Sequence, residues 1–321
     1  MNDATRPWCA FVHTDRRQRL PALVAAYSLK TRGGGDDNFD VRILTVEGSV
    51  LDGRNDGRKA TETTGGVWDH THPKVFSFLR RSVPERMNYR GRAVLIDPDI
   101  VAIDSLCPLF ESDMQGAAVM ARYVEAGYLG VGAPYRATSV MLMDCAKLTY
   151  WSMACELEEY FAGRLGFREL IQLQLEPPGA IGSLEKKWND LDELSPETRL
   201  LHFTRPSTQP WLTGLPMDDR IVDPTHPLVR PQTAPGRGNE SFERYHLPNP
   251  DPTQCRVFFE LLGECVADGL IDPAWIESEI AAGLVRRDLF DVLKRYGYQP
   301  GEPREQTLEK AYFGDSAVAP W

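Results

Sequence analysis

The sequence contains no run of about 18 apolar residues, the length a membrane-crossing helix needs. Its first residues, Met1-Asn2-Asp3-Ala4-Thr5-Arg6, are too polar for a secretory signal, so a cytoplasmic location is expected. Positive charge is in deficit: 36 Lys and Arg against 46 Asp and Glu leave a net charge of −10. That balance sets aside nucleic acid as the main partner, because phosphate backbones select basic surfaces. It disfavours anionic membrane surfaces for the same reason. Zinc-type cysteine spacing is missing as well. Cys9, Cys107, Cys145, Cys155, Cys255 and Cys265 are scattered, mostly among apolar neighbours, and read as reduced, core-filling thiols. No Gly-x-Gly-x-x-Gly follows the first apolar run and no Walker motif occurs anywhere, which excludes a dinucleotide dehydrogenase and a P-loop NTPase. Any nucleotide must be held in another way. There is no internal repeat.

What the chain does have is 321 residues with 42% apolar content, enough for one large domain or one domain with an appendage. The stretch that organises it runs from Arg92 to Asp104. Two apolar runs, Ala93 to Ile96 and Ile100 to Ile103, flank Asp97-Pro98-Asp99. A continuous β-branched run reads as a strand buried in the parallel part of an α/β sheet. Pro98 cannot donate a ladder hydrogen bond, so the strand should end there. Asp97 and Asp99 then stand on the carboxyl edge of the sheet, where open α/β sheets bind ligands. Two carboxylates so close repel unless a cation lies between or beside them. Hard oxygen donors favour magnesium or manganese, ions that in turn hold phosphates. The alternative is a surface turn with two solvated acids, since Asp-Pro is a common turn pair.

Upstream, Trp8 to His13 reads as a first strand that ends at the polar turn Thr14-Asp15-Arg16-Arg17. Residues 20–29 carry helical spacing and residues 38–46 read as the next strand, an order that opens a nucleotide-binding half-domain. Residues 52–66 are polar and rich in Gly and Thr, an expected exposed loop. His70 and His72 have no third ligand nearby and are read as non-catalytic. Residues 74–82 are helical in spacing, with Phe76, Leu79 and Val83 as the apolar stripe. Arg80 and Arg81 at the end of that helix could face a diphosphate or simply be solvated. Downstream come a short helix over residues 103–110, a strand over 117–121, and a loop over 135–139 that enters an apolar strand at Val140-Met141-Leu142-Met143. Helical material is expected over residues 145–165. The strand-like run from Arg199 to Thr204 carries His202, either a structural histidine or a third metal ligand beside the two aspartates.

Taken in order, these features resemble the retaining glycosyltransferases of the GT-A fold, the glycogenin and lipopolysaccharide galactosyltransferase group. The matching pieces are Thr14 to Arg16, Asp97-Pro98-Asp99 with Leu109-Phe110, and Thr138-Ser139-Val140-Met141-Leu142-Met143. Trp188-Asn189 and His202 with Pro210-Trp211 complete them. No one motif is specific, but their order and spacing together are, over about residues 8–215. The resemblance implies an α/β fold, a GT-A mixed sheet flanked by helices, and transfer of a sugar from a nucleotide-sugar donor, a UDP-sugar by expectation. It implies that Asp97, Asp99 and His202 hold Mn2+ or Mg2+ against the diphosphate, with Asp97 also near the ribose. Thr14, Asp15 and Arg16 would line the base and ribose pocket, and Arg80 would reach the phosphates or the donor sugar. Thr138 and Ser139 would face donor sugar and acceptor.

The chain departs from that group at three points. Ala137-Thr138-Ser139 replaces an Asn-Ala-Gly or Asn-Ser-Gly. No Asp-Gln pair precedes Trp188-Asn189, which leaves Gln172 and Gln174 as candidates near the reacting carbon. Gln209-Pro210-Trp211 replaces Lys-Pro-Trp, which leaves Arg205 as the candidate cation for the diphosphate. The expected organisation is a catalytic domain over residues 1–215 and a Pro-rich connector or active-site flap over 216–252. A helical region over 253–321 follows, opened by helices over 256–267, at Asp272-Pro273 and over 288–296, and able to pack on the catalytic domain or to form a homodimer contact. The partners expected are a nucleotide-sugar donor and a glycan, small-molecule or protein acceptor. Two other readings compete: a nucleotidyltransferase with a similar sheet and acids, and a degenerate relative that binds a sugar nucleotide or a partner without turnover.

Overall fold

A computed structural model describes residues 8–53, 57–60, 66–128, 133–218 and 245–314 of the chain. The contacts divide it into two compact units, Met1–Glu125 with Pro134–His202 and Tyr312–Trp321 in the first, and Ala126–Ala133 with Phe203–Ala311 in the second.

The first unit is built on a six-stranded mixed sheet. Its strands are β1 (Trp8–Thr14), β2 (Asp40–Thr45), β5 (Arg92–Ile96), β7 (Val119–Val124), β8 (Tyr135–Asp144) and β9 (Ile181–Leu184). They lie in the order β2-β1-β5-β8-β7-β9. β1 is parallel to both β2 and β5, β8 is antiparallel to β5 and to β7, and β9 is parallel to β7. Five strands therefore run one way and β8 alone runs against them. The carboxyl ends of β1 and β5 and the amino end of β8 share one edge. The apolar runs at Phe11-Val12, Ala93–Ile96 and Val140–Met143 are fully buried, as strands covered on both faces require. Helix α1 (Arg19–Thr31) packs against β1 and β2, as its apolar spacing predicts.

A second, three-stranded sheet in the same unit joins β6 (Ile100–Ala102), β10 (Asp190–Leu191) and β11 (Leu200–His202) in the order β10-β11-β6. The chain passes from the large sheet to this one through Asp97-Pro98-Asp99. The Ile100 N–H donates to the Asp97 carbonyl at 3.3 Å, which closes a β-turn with Pro98 in the position where its fixed φ is favoured. The α/β class, the mixed sheet and the strand that ends at Pro98 are all as the sequence indicates.

Several local expectations are corrected. The stretch over residues 52–66 is not loop alone: β3 (Lys59–Ala60) and β4 (Gly66–Val67) pair as a small antiparallel ribbon. Residues 135–139 are strand, not loop. They extend β8 alongside β7, with a register shift between Ala121 and Arg122 that lets polar residues join the ladder. The helix over 74–82 is a 3-10 helix, Val75–Ser82, continued by a turn of α-helix at Val83–Arg86. Arg80 and Arg81 are buried there and not solvated, because each is met by carboxylates. Of residues 145–165, only the 3-10 turn Cys145–Lys147 and the helix Met153–Phe161 are helical. Most of the Pro-rich connector, residues 219–244, lies outside the described residues.

The second unit contains helices over Pro252–Ala267, Pro273–Ala281 and Leu289–Arg295, close to the expected bounds. Asp251 and Asp272 cap the first two, accepting from the N–H groups of Thr253 and Ala274 at 2.8 Å, with proline at the first helical position. Phe203, Trp211, Phe258, Phe259 and Tyr296 form one aromatic cluster, with Trp211 and Phe258 centroids 4.7 Å apart. Gly263 in the first helix leaves room for the Tyr298 ring, which a Cβ there would strike at 2.2 Å. Among the described residues, no helix is long and apolar enough to cross a membrane.

Candidate functional site

Two elements deliver three ligand-type side chains to one point. The turn after β5 supplies Asp97 and Asp99. The antiparallel pairing of β11 with β6 sets His202 opposite Ile100, the residue after Asp99. One ligand atom from each of Asp97, Asp99 and His202 lies within 4.8 Å of the others. Unit charges at such a separation repel by about 3 kcal/mol at an effective dielectric near 20, so two ionised carboxylates need cations around them.

The protein surrounds these carboxylates with hydrogen-bonding and charged partners. His13, the penultimate residue of β1, is fully buried with Nε2 2.5 Å from Asp97 Oδ1 and Nδ1 3.1 Å from the Phe76 carbonyl. The Arg80 guanidinium lies 3.4 Å from the same Asp97 oxygen. Burial alone would raise the Asp97 carboxyl. The His13 imidazole, then Arg80 and His202, outweigh burial and hold it well below the usual carboxylate range. At His202 burial works against the charged ring, but the Asp99 carboxylate, followed by Asp97 and Asp192, prevails and moves the imidazole above its ordinary value. Burial holds the Arg80 guanidinium below its ordinary value, with Asp97 opposing this only in part and Arg81 adding to it.

Around this centre the remaining candidates fall into place unevenly. Thr138 on β8 accepts from Arg80 Nη1 and donates to the Ile171 carbonyl at 2.5 Å, so Arg80 is tied to the sheet and, through Thr138, to the last residue of the helix Phe167–Ile171. Ser139 accepts from Asn189 Nδ2 at 2.9 Å, and the Ser139 carbonyl accepts from the Asp97 N–H at 2.9 Å. Thr14 ends β1 on the same edge, and Asp15 caps the 3-10 turn Arg16–Gln18, accepting from the Arg17 N–H at 2.9 Å and its guanidinium at 2.8 Å. Both Asp15 oxygens are thus engaged by the turn itself. Gln172 and Gln174 bond to each other at 2.8 Å on the segment pinned by Thr138. Arg205 belongs to the second unit, where it precedes the 3-10 turn Pro206–Thr208.

Two residues of the site were not singled out for a role by the sequence. His13 ends an apolar strand on the edge that carries Asp97, the same signal that marked His202. Asn189, fully buried, was visible only as part of the Trp188-Asn189 pair, and its Oδ1 lies 3.0 Å from His202 Nδ1.

The donor set suits a hard or borderline divalent ion: two carboxylates and one imidazole, with a second cation, Arg80, beside them. Against known proteins, no family profile and no curated protein sequence matches the chain. Solved structures are similar. The galactosyltransferase LgtC, in complex with donor and acceptor sugar analogues, is 16% identical with a TM-score of 0.42, over 64% of this chain and 89% of that one. The glycosyltransferase GlyE of Streptococcus pneumoniae is 17% identical with a TM-score of 0.45, over 64% of this chain and 56% of that one. Mouse xyloside xylosyltransferase 1 is 13% identical with a TM-score of 0.38, over 60% and 96%. At these values the likenesses carry no weight of their own in the functional reading, which rests on the residues of this chain.

Proposed function

We propose that the protein is a glycosyltransferase that takes a sugar from a nucleotide-sugar donor, UDP-linked, with Mn2+ or Mg2+ held by Asp97, Asp99 and His202. The observation that carries this reading is the convergence of those three side chains and Arg80 on the carboxyl edge of parallel strands. A bound ion would supply Lewis-acid stabilisation of the charge on a departing diphosphate. Arg80 adds a guanidinium whose position is fixed by Thr138 and Asp97 before any ligand arrives, which is the arrangement that favours charge stabilisation over reorganisation.

On this reading Thr14 to Arg16 border the base and ribose, with Asp15 shaping the turn through its own hydrogen bonds. Thr138 and Ser139 present the sugar-facing surface of β8. Gln172 and Gln174 are the polar groups next to the reacting carbon. Transfer with retention asks the site for positioning and charge stabilisation more than for a strong base.

Calorimetric titration of UDP and of GDP with and without Mn2+ tests the reading. Mn2+-dependent UDP binding, followed by release of free sugar from a UDP-sugar, is the expected result. Failure of both nucleotides to bind in the presence of Mn2+ overturns it. Nucleotide binding with no turnover of any UDP-sugar would leave a sugar-nucleotide-binding protein in its place.

A further inference from the structure

We infer that Asn189 is the residue that reserves His202 Nε2 for a divalent ion, by fixing which ring nitrogen carries the proton. The inference rests on the ion site proposed above and adds the part that makes the imidazole a ligand. Asn189 is completely buried, so every polar atom of its amide needs a partner inside the protein. Its Nδ2 group faces the Ala137 carbonyl at 3.4 Å and Ser139 Oγ at 2.9 Å. A carbonyl can only accept, so the NH2 end of the amide belongs on that side.

Oδ1 is then the atom 3.0 Å from His202 Nδ1. An amide oxygen also only accepts, so Nδ1 must carry a hydrogen and donate it. When the ring is neutral, its lone pair is therefore on Nε2, the atom 3.3 Å from Asp99 Oδ1 and directed at the aspartates. A lone pair facing a carboxylate is favourable only with a positive species between them, a proton or a metal ion. The backbone of Asn189 is itself anchored, since its carbonyl accepts from Arg122 Nη1 at 2.6 Å. The chain Ser139–Asn189–His202 thus connects β8 to the end of β11 and leaves the ring one orientation. Outer-sphere partners that set the tautomer and angle of a ligating histidine are worth about 10- to 100-fold in metal affinity.

The test uses full-length protein and Mn2+ alone, with free Mn2+ counted by electron paramagnetic resonance. Asn189→Leu, close in volume but without an acceptor, should weaken Mn2+ binding by about 10- to 100-fold. Asn189→Asp, which keeps an oxygen facing Nδ1 and leaves the other to accept from the Ser139 hydroxyl, should lose less affinity than Asn189→Leu. Equal losses in the two variants would reduce Asn189 to a packing residue and overturn the inference, as would wild-type affinity in Asn189→Leu. A second readout does not involve the ion. Nitrogen NMR of the metal-free protein, at a pH where the His202 ring is neutral, should show the Nδ1–H tautomer in wild type and its loss in Asn189→Leu; the Nε2–H tautomer in wild type would overturn the inference. Asp99→Ala separates the two claims. If it binds Mn2+ as well as wild type, the ion site is wrong, while the nitrogen spectrum still decides what Asn189 does.

Discussion

His202 and Ile100 are paired across the antiparallel strands β11 and β6, and that register is what brings an imidazole to the Asp97-Pro98-Asp99 turn. A slip of one residue would put His202 on the opposite face, since side chains alternate along a strand. The clustering of Asp97, Asp99 and His202 is therefore a product of strand pairing and not of a flexible loop. Asp99→Ala and His202→Ala should each abolish Mn2+-dependent UDP binding, with far-ultraviolet circular dichroism and cooperative unfolding unchanged. Undiminished affinity in both variants would remove the assignment of these residues to a metal.

How much of this could be read in advance depends on how far each residue's partners lie along the chain. Asp97 and Asp99 were legible because the features that place them, an apolar run and a proline, are their immediate neighbours. His202 was legible by the same logic at the end of its own strand. His13 carries the same strand-end signal without being singled out, because the partners that give it a role, Phe76 and Asp97, are 63 and 84 residues away. Arg80 and Arg81 were seen as cations but their burial was not, since the carboxylates that permit it come from distant segments. The 3-10 character of Val75–Ser82 was also hidden, because contacts at a spacing of three residues serve a 3-10 and an α-helix alike.

The Asp97 carboxyl gives the site a signature in acid. Its folded value is depressed, while the unfolded chain titrates near the ordinary value of about 4. The unfolded state then binds the proton first, so this stabilisation is fully present above about pH 4 and is lost as pH falls through the depressed folded value. In a comparison of unfolding free energy against pH, wild type should lose stability more steeply below about pH 4 than Asp97→Asn. Parallel curves would mean that Asp97 gains nothing from His13 and Arg80.

Arg81 marks a second buried cation with a different task. Its guanidinium is bonded to Glu156 and, at 2.8 Å, to Glu176, and it lies over the Trp151 ring at 3.5 Å. Glu176 also accepts from Trp151 Nε1 at 3.0 Å and from the Tyr150 hydroxyl at 2.5 Å. Removing one partner of such a group leaves the others charged and dry, a cost of about 3–5 kcal/mol. Arg81→Met should lower the unfolding free energy from urea titration by a matching amount. The exposed pair Arg58–Glu158 serves as the control, because breaking a solvated pair costs less than about 1 kcal/mol. Similar small losses from both substitutions would show that the Arg81 cluster contributes no more than a solvated pair.

Thiol chemistry separates the six cysteines by environment. All are free, with Cys9, Cys145 and Cys265 buried, Cys107 and Cys255 half-buried, and Cys155 exposed. Burial pushes Cys9 and Cys145 up to about 12 and raises Cys265 well above the ordinary thiol range. The thiolate is the reactive form, so these three combine low access with a negligible thiolate fraction near neutral pH. Titration of native protein with a chromogenic disulfide at pH 8 should release its first equivalent from Cys155 and leave Cys9, Cys145 and Cys265 unmodified until denaturant is added. Replacing Cys155 with serine should remove that fast phase and nothing else. If a fast phase persists in Cys155→Ser, a half-buried thiol, Cys107 or Cys255, reacts as readily as the exposed one, and exposure does not rank these cysteines.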